Sequence, residues 1–179
     1  MIDKELEEFI DAHKELIDGR RWAELYAELF DTFWCFDAGD CNKIGKFTEL
    51  LISEGVDPLE KLDYIPEHYL TGASIEKFVV PKHIKRIKQF AFANCSQLTD
   101  VIIPNGVISI DYGAFCGCES LEQVYIPDSV TELGTDLLPV SVFAMNILSV
   151  SSEPETSPVS VTIYITDASH LLSLTSPVL

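Results

Sequence analysis

Side chains that could carry out catalysis or hold a metal ion are few and lie far apart in the sequence. The four histidines fit no ligand spacing such as His-Glu-x-x-His; they are His13, His68, His83 and His170. His13 falls on the apolar face of a predicted helix, which favours a packed side chain over a ligand. The sequence also lacks a Gly-rich phosphate loop, a Gly-x-Ser-x-Gly elbow and a Cys-x-x-Cys pair. We therefore predict a protein that is not an enzyme and that uses no cofactor and no metal ion.

The cysteines and one acidic stretch resemble metal sites only superficially. The five cysteines are Cys35, Cys41, Cys95, Cys116 and Cys118, an odd number that favours reduced thiols over a disulfide framework. The last two form a Cys-x-Cys pair, but the further ligands that a metal ion needs are missing. The stretch that starts at Asp37 has no Gly at the sixth position of a calcium loop and has Thr48 at the twelfth, so an EF-hand is rejected.

The charge of the chain is strongly acidic and unevenly distributed. Its 29 acidic and 12 basic residues give a formal net charge of −17, and no Lys or Arg follows position 88. The one basic cluster contains Lys82, Lys85, Arg86 and Lys88. Because an acidic surface repels phosphate groups, we predict no direct contact with nucleic acid or membrane. The same charge favours a protein partner with a basic surface.

The N-terminus and the hydropathy predict a cytoplasmic protein. The first residues, MIDKELEEFID, are acidic where a signal peptide needs basic charge before an apolar stretch. No uncharged apolar run approaches the roughly 18 residues that are needed to span a bilayer.

Apolar residues at three- and four-residue intervals predict helices over residues 1–60. The first stripe ends at Gly19 and contains Ile2, Leu6, Phe9, Ile10, His13, Leu16 and Ile17. The second stripe is aromatic and contains Trp22, Leu25, Tyr26, Leu29, Phe30, Phe33 and Trp34. The third stops before Gly55 and Pro58 and contains Ile44, Phe47, Leu50 and Leu51. We assign residues 1–62 to a helical bundle or cap.

A repeat with a period of 23 residues follows the helices. It is marked by Pro81, Pro104 and Pro127, by Ala91-Phe92 and Ala114-Phe115, by Cys95 and Cys118, and by Leu98 and Leu121. A half-copy precedes it, in which Tyr69, Gly72, Ile75 and Phe78 align with Phe92, Cys95, Leu98 and Val101, and the pattern decays after Leu133. One unit of this length cannot bury its own apolar residues. We therefore predict that equivalent side chains stack in columns, such as Phe92 on Phe115.

The repeat resembles a known family in the order of its residues. The order Pro-x-x-Val-x-x-Ile, Ala-Phe and Cys-x-x-Leu-x-x-Val-x-Ile-Pro, sharpest over residues 79–127, is similar to that of the BspA-like leucine-rich repeats. The resemblance extends over residues 65–133, and it implies a right-handed solenoid with one short strand per turn. It also implies an interaction or surface protein. We therefore predict an α+β fold, with the helical unit at 1–62, a leucine-rich-repeat solenoid at 63–149, and a loop with a C-terminal capping strand at 150–179.

Each repeat contains one strand segment whose side chains alternate between core and solvent. The predicted inward set is Phe78, Val80, Val101, Ile103, Val124 and Ile126. The predicted outward set, which is the candidate partner-binding surface, is Lys77, Val79, Asp100, Ile102, Gln123 and Tyr125. Val79, Ile102 and Tyr125 would form an exposed apolar row, extended by Leu148, as is typical of a contact surface. Two alternatives stay open: strands favour such residues in general, or the helical unit covers the row.

A second candidate surface is the acidic face of the first predicted helix, opposite its apolar stripe. It contains Glu7, Glu8, Asp11, Glu15 and Asp18. Lys4 and Lys14 partly neutralise it, and such a face commonly serves only to keep a protein soluble. The alternative is that it mimics a DNA backbone, in a phage-type inhibitor of a host nucleic-acid-binding or defence enzyme.

The C-terminal segment is interpreted as a cap. Residues 149–160, SVSSEPETSPVS, are typical of an exposed loop. Residues 161–167, VTIYITD, alternate as a strand does and would pair with the last turn of the repeat. The leading hypothesis is a non-enzymatic protein-binding module that uses the outward strand face. DNA mimicry is the alternative, and an adhesin fragment, which needs an export route, is the third hypothesis.

Overall fold

Four α-helices and a short 3-10 helix are described in the N-terminal part of the chain. The computed structural model describes residues 3–33, 42–121, 123–134, 145–146 and 161–165. The helices are α1 (Lys4–Ala12), α2 (Lys14–Asp18), α3 (Trp22–Phe33), α4 (Asn42–Ser53) and the 3-10 helix Pro58–Lys61. None of these described helices is long and apolar enough to cross a membrane. Several residues named above lie outside the described ranges: Ile2, Trp34, Cys35, Asp37, Cys41, Leu148 and His170.

The first apolar stripe forms two helices, because the helix breaks at His13. Asp3 begins α1, and its carboxylate accepts a hydrogen bond from the Leu6 main-chain N–H at 2.9 Å. The backbone of His13 leaves the helical conformation, with ψ at 21°. Its imidazole Nδ1 donates to the Phe9 carbonyl at 2.8 Å, and the two rings stack with centroids 4.0 Å apart. His13 is therefore a packed residue, as predicted, but the prediction of one helix ending at Gly19 is wrong.

The helices and the repeat share one apolar core. The hydroxyl of Tyr26, in α3, lies 2.7 Å from Thr48 Oγ1, and its ring centroid lies 5.6 Å from that of Tyr69. Helix α4 approaches the repeat at Gly45, where an added Cβ would lie 2.1 Å from the Thr71 carbonyl oxygen. Because glycine has no Cβ, it permits a contact between helix and repeat that a larger residue would block.

Two sheets are described in the rest of the chain. The four-stranded sheet is parallel and contains, in order, β1 (Tyr64–Ile65), β3 (Arg86–Ile87), β5 (Ser109–Ile110) and β7 (Glu132–Leu133). The five-stranded sheet contains, in order, β2 (Lys77–Val79), β4 (Asp100–Ile102), β6 (Gln123–Ile126), β9 (Val161–Ile165) and β8 (Met145–Asn146). In this sheet β2, β4 and β6 are parallel, whereas β9 is antiparallel to both β6 and β8. Each repeat thus contributes one strand to each sheet.

Equivalent side chains of successive repeats stack in the interior, as predicted. The rings of Phe92 and Phe115 are buried and nearly parallel, with centroids 5.4 Å apart and an interplanar angle of 9°. Cys95 and Cys118 are also buried, and their thiols donate to the carbonyl oxygens of Leu70 and Phe92, each at 3.0 Å. A cysteine at this position is a small apolar side chain that also bonds to the turn before it.

The opening half-copy is one residue shorter than the copies that follow. The strand register is 22 positions between β1 and β3 but 23 positions between β2 and β4. The Leu70 N–H donates to the Ala91 carbonyl at 2.7 Å, just as the Phe92 N–H donates to the Ala114 carbonyl at 2.8 Å. Leu70, and not Tyr69, therefore occupies the position of Phe92. The predicted alignment is therefore wrong by one residue for Tyr69 and Gly72, because the missing residue lies between the Leu70 turn and β2. It is confirmed for Phe78, which pairs with Val101.

Candidate functional site

An exposed apolar row crosses three strands of the five-stranded sheet. Strand pairing places Val79 beside Ile102, and Ile102 beside Tyr125. Their exposed fractions are 63%, 59% and 45% respectively. Val80 and Val101, which adjoin them in the chain, are buried because successive strand residues point to opposite faces. We call Val79, Ile102 and Tyr125 the strand-face row.

The polar residues of the predicted strand face lie beside this row. Lys77 Nζ lies 2.7 Å from Asp100 Oδ2, and both side chains are exposed. The hydrogen bond with the Asp100 carboxylate raises the pKa of Lys77, so the lysine stays protonated. An exposed pair of this kind adds little stability, but it neutralises the charge next to the row. Gln123 lies in β6, where its main chain pairs with that of Tyr164; its side chain is not among those that the structure describes.

The described helices flank the strand-face row without covering it. Val79 and Ile102 keep their high exposure with these helices in place, and Ile52, near the end of α4, is itself exposed. Cover by the described helices is therefore not the reason for the apolar row. The row is therefore an apolar surface in contact with solvent.

A groove that sequence reasoning missed lies beside β2. It has a volume of about 310 Å³ and is lined by Ile52, Gly55, Val56, Asp57, Leu59, Tyr69, Phe78, Val79 and Pro81. Val79 belongs both to this lining and to the strand-face row, so the two surfaces are continuous. No sequence motif marks the groove, because its walls come from α4, the 3-10 helix and β2. We call it the edge groove.

A larger groove, of about 510 Å³, lies between α3 and the four-stranded sheet. Its charged and aromatic lining includes Asp31, Asp63, Tyr64, Glu67, Arg86 and Lys88. It thus contains two members of the basic cluster, of which Lys88 places its ammonium 5.7 Å from the centre of the Tyr64 ring. Its walls therefore carry both signs of charge.

The predicted acidic surface is divided between two helices. All five carboxylates are exposed: Glu7, Glu8 and Asp11 in α1, and Glu15 and Asp18 in α2. Lys4 pairs with Glu8 at 3.3 Å, and Lys14 pairs with Asp11 at 2.8 Å. Because the chain turns at His13, the five side chains do not form the single helical face that was predicted. The acidic side chains therefore lie on two helices, and two of them are paired with lysines.

The buried Cys118 thiol does not have the environment of a reactive cysteine. The hydrogen bond with Cys95, followed by burial, raises the pKa of Cys118, so this thiol stays protonated. Cys116 is half-buried. Within the described residues, no three His, Cys, Asp or Glu side chains are placed to hold a metal ion. Much of the stretch that resembles a calcium loop, up to position 41, lies outside these residues.

Comparison with known proteins finds a family match that includes the repeat. The family described as the BspA type leucine rich repeat region matches residues 46–142, in six copies. This match begins within α4 and is longer than the resemblance seen in the sequence. No curated protein and no solved structure matches the chain. Leucine-rich repeats are in general non-enzymatic folds for protein–protein interaction. Because the matched region covers more than half of the 179 residues, this chain belongs to the BspA-type leucine-rich repeat family.

Proposed function

We propose that this protein is a non-enzymatic interaction module that binds a partner protein through its strand face. The observation that carries the proposal is the strand-face row, in which three successive strands each expose an apolar side chain at the same position. Removing apolar surface from water on binding is favourable by roughly 25 cal/mol per Å². The repeat family supports the same function.

We further propose that this face belongs to a short right-handed solenoid at 63–149. The helical unit at 1–62 closes its front, and the segment at 150–179 closes its end. The core shared by the helices and the repeat supports the first cap. The second is supported by β9, which pairs antiparallel with β6 over four residues and so occupies the edge of that strand.

The partner in this proposal has a basic surface. The formal net charge of −17 would attract such a partner over a distance, and the apolar row would hold it after contact. These two contributions respond differently to salt, because ions screen the long-range attraction but not an apolar contact. Ionic strength therefore separates the strand-face proposal from DNA mimicry by the acidic helices.

Affinity capture from a host lysate tests the proposal with the double variant Ile102→Ala/Tyr125→Ala. We expect the wild-type protein to retain a specific partner at high ionic strength, and the double variant to recover at least about tenfold less of it. The matched control is Ile108→Ala/Leu133→Ala. These two side chains have exposed fractions of 45% and 43%; Ile108 lies next to the four-stranded sheet, and Leu133 lies in it. This control should capture the partner as the wild type does.

The same experiment identifies the other outcome. A partner that the double variant still captures, that is released by salt and that duplex DNA displaces would contradict the strand-face proposal. That result would instead assign binding to the acidic helices.

A further inference from the structure

β2 forms an open edge of the five-stranded sheet in the described structure. Successive strand residues direct their main-chain N–H and C=O groups to opposite sides of the strand. The Val80 N–H donates to the Ile102 carbonyl at 3.0 Å, so the main-chain groups of Phe78 and Val80 face β4. Those of Lys77 and Val79 therefore face away from β4, towards the edge groove.

The helices beside this edge do not pair with it. The described parts of α4 and the 3-10 helix make no main-chain hydrogen bond with Lys77 or Val79. The last parallel strand of the same sheet differs, because β9 pairs with β6 along its length. Within the described residues, β9 thus covers the outer edge of β6, whereas the outer edge of β2 has main-chain N–H and C=O groups without a strand partner. Such an edge is a template for strand addition.

Phe78, at the open edge of the sheet, is less buried than the equivalent residues of the next two strands. It faces the core from β2 but is only half-buried, whereas the equivalent Val101 and Val124 have exposed fractions of 6% and 2%. Among the described strands, β4 and β6 each have a neighbour on both sides in this sheet, whereas β2 has one only on the β4 side. The edge groove lies on the other side of β2, and Leu59 and Tyr69 continue its apolar wall.

The charge around the groove indicates which segment would fit. Among the described residues that line it, Asp57 alone is charged. The exposed charged residues next to the lining in the chain are Glu54, Glu60, Lys77 and Lys82, so a small excess of negative charge remains, and the whole chain is acidic. We propose that the edge groove binds an extended segment of a partner protein, which adds a strand to β2 and alternates aliphatic residues with Lys or Arg. The aliphatic residues would cover Phe78, and the basic residues would point to the opposite face of the added strand.

This proposal rests on the proposed function, since it states how a protein partner is held next to the strand-face row. An added strand would lie about 4.8 Å beyond β2, with its outward side chains beside Val79. The basic residues of the segment would therefore lie next to the strand-face row. Main-chain hydrogen bonds would supply affinity that does not depend on sequence, and the groove would select the aliphatic positions.

Selection from a displayed library of random octapeptides, against the full-length protein, tests this inference. We expect the recovered peptides to alternate aliphatic and basic residues. Each is then synthesised, and its affinity is measured by fluorescence anisotropy. N-methylation of the amides on the side that pairs with β2 should weaken binding by about tenfold or more, while N-methylation of the intervening amides should leave it unchanged.

Two variants locate the site. Val56→Arg places a cation on the groove wall and should abolish peptide binding, whereas Ile108→Arg, which is exposed away from the groove, should not. Thermal melting checks that both variants fold, and the N-methylated peptides test the proposal without any variant. The proposal is overturned if no peptide binds the wild-type and Ile108→Arg proteins more tightly than the Val56→Arg protein, or if N-methylation has the same effect at every position. The Ile102→Ala/Tyr125→Ala variant should keep the peptide and lose the captured partner, so failure of this proposal is distinguishable from failure of the proposed function.

Discussion

Two sets of side chains repeat every 23 residues in this molecule, and they meet opposite environments. The interior columns, such as Phe92 on Phe115, are buried by the neighbouring turns. The strand-face row repeats with the same spacing, yet its members remain exposed. One period can therefore serve both stability and recognition. Folding requires apolar residues in the columns, but it does not require them in the row.

Phe115→Ala should have the largest effect, because it removes one ring from an interior column. We expect the free energy of unfolding to fall by about 3–5 kcal/mol, as for other buried aromatic truncations. Urea denaturation followed by circular dichroism measures the change. The matched variant Tyr125→Ala, in the strand-face row, should cost less than about 1 kcal/mol. Equal losses for the two variants would mean that the row is part of the folding core.

Gly45→Ala tests where the interior columns meet the helices. Alanine normally stabilises a helix relative to glycine by about 1 kcal/mol. Here the added Cβ would lie 2.1 Å from the Thr71 carbonyl oxygen, so α4 must move away from the repeat. We therefore expect a loss of about 1–3 kcal/mol in thermal or urea unfolding. Lys46→Ala, at the exposed neighbouring position, is the control, and stabilisation by Gly45→Ala would show that the helix does not pack as described.

His68 offers a titratable group in the interior. Its ring stacks between those of Phe30 and Phe90, with centroids 6.1 and 5.2 Å away. Thr71 Oγ1 donates to the Phe90 carbonyl at 2.9 Å, so His68 Nδ1 donates to that hydroxyl, at 3.1 Å. Burial lowers the pKa of His68 below its usual value of 6.5, and the folded state therefore holds the neutral ring.

The sign of the pH dependence follows from this lowered pKa. As pH falls, the unfolded chain binds the proton first, so stability is complete above about pH 6.5 and is lost as pH falls through the folded-state pKa. His68→Asn should remove this part of the pH dependence, since asparagine tolerates the φ of 55° at this position and its amide can donate to the hydroxyl of Thr71. Urea unfolding of both proteins between about pH 8 and about pH 5 checks this. Parallel curves would exclude the neutral buried ring.

Lys77→Ala should have the smallest effect on stability, because both members of its ion pair are exposed. We expect no measurable change in the unfolding midpoint. The freed Asp100 would add negative charge beside the strand-face row and should raise the association rate with a basic partner, most clearly at low salt. Stopped-flow or surface-based kinetics measures the rate. A large loss of stability would show that the pair, and not the apolar row, organises this face.

The features that could be predicted from the sequence are those that obey a local period. Alternation along a strand predicts that Ile102 faces solvent and Ile103 faces the core, and stacking of equal units predicts the Phe92–Phe115 column. The break at His13 could not be predicted in this way, because no apolar period indicates the local hydrogen bond from its imidazole to the Phe9 carbonyl or the non-helical backbone at this residue. A periodic apolar stripe looks the same in one helix or in two.

The opening half-copy and the edge groove depend on tertiary packing. The 22-position register is set by which strands pair, and one missing loop residue leaves the buried pattern of the half-copy almost unchanged. The groove brings Val56 from the helical segment next to Phe78 from the repeat. No rule that acts along a single element relates these two positions, so the sequence pattern contains no sign of the space between them.

From β2 to β6, the constant pairing offset has an evolutionary consequence. A tandem duplication of residues 104–126 would insert a whole turn and leave both chain ends unchanged. The longer protein would gain one buried phenylalanine, one buried cysteine and one more tyrosine in the strand-face row. That row would grow by one strand width, about 4.8 Å, whereas a duplication with an extra residue inside a strand would turn that strand's buried side chains outward. Unequal crossing-over within this gene segment could therefore lengthen the molecule in uniform steps to suit larger partners.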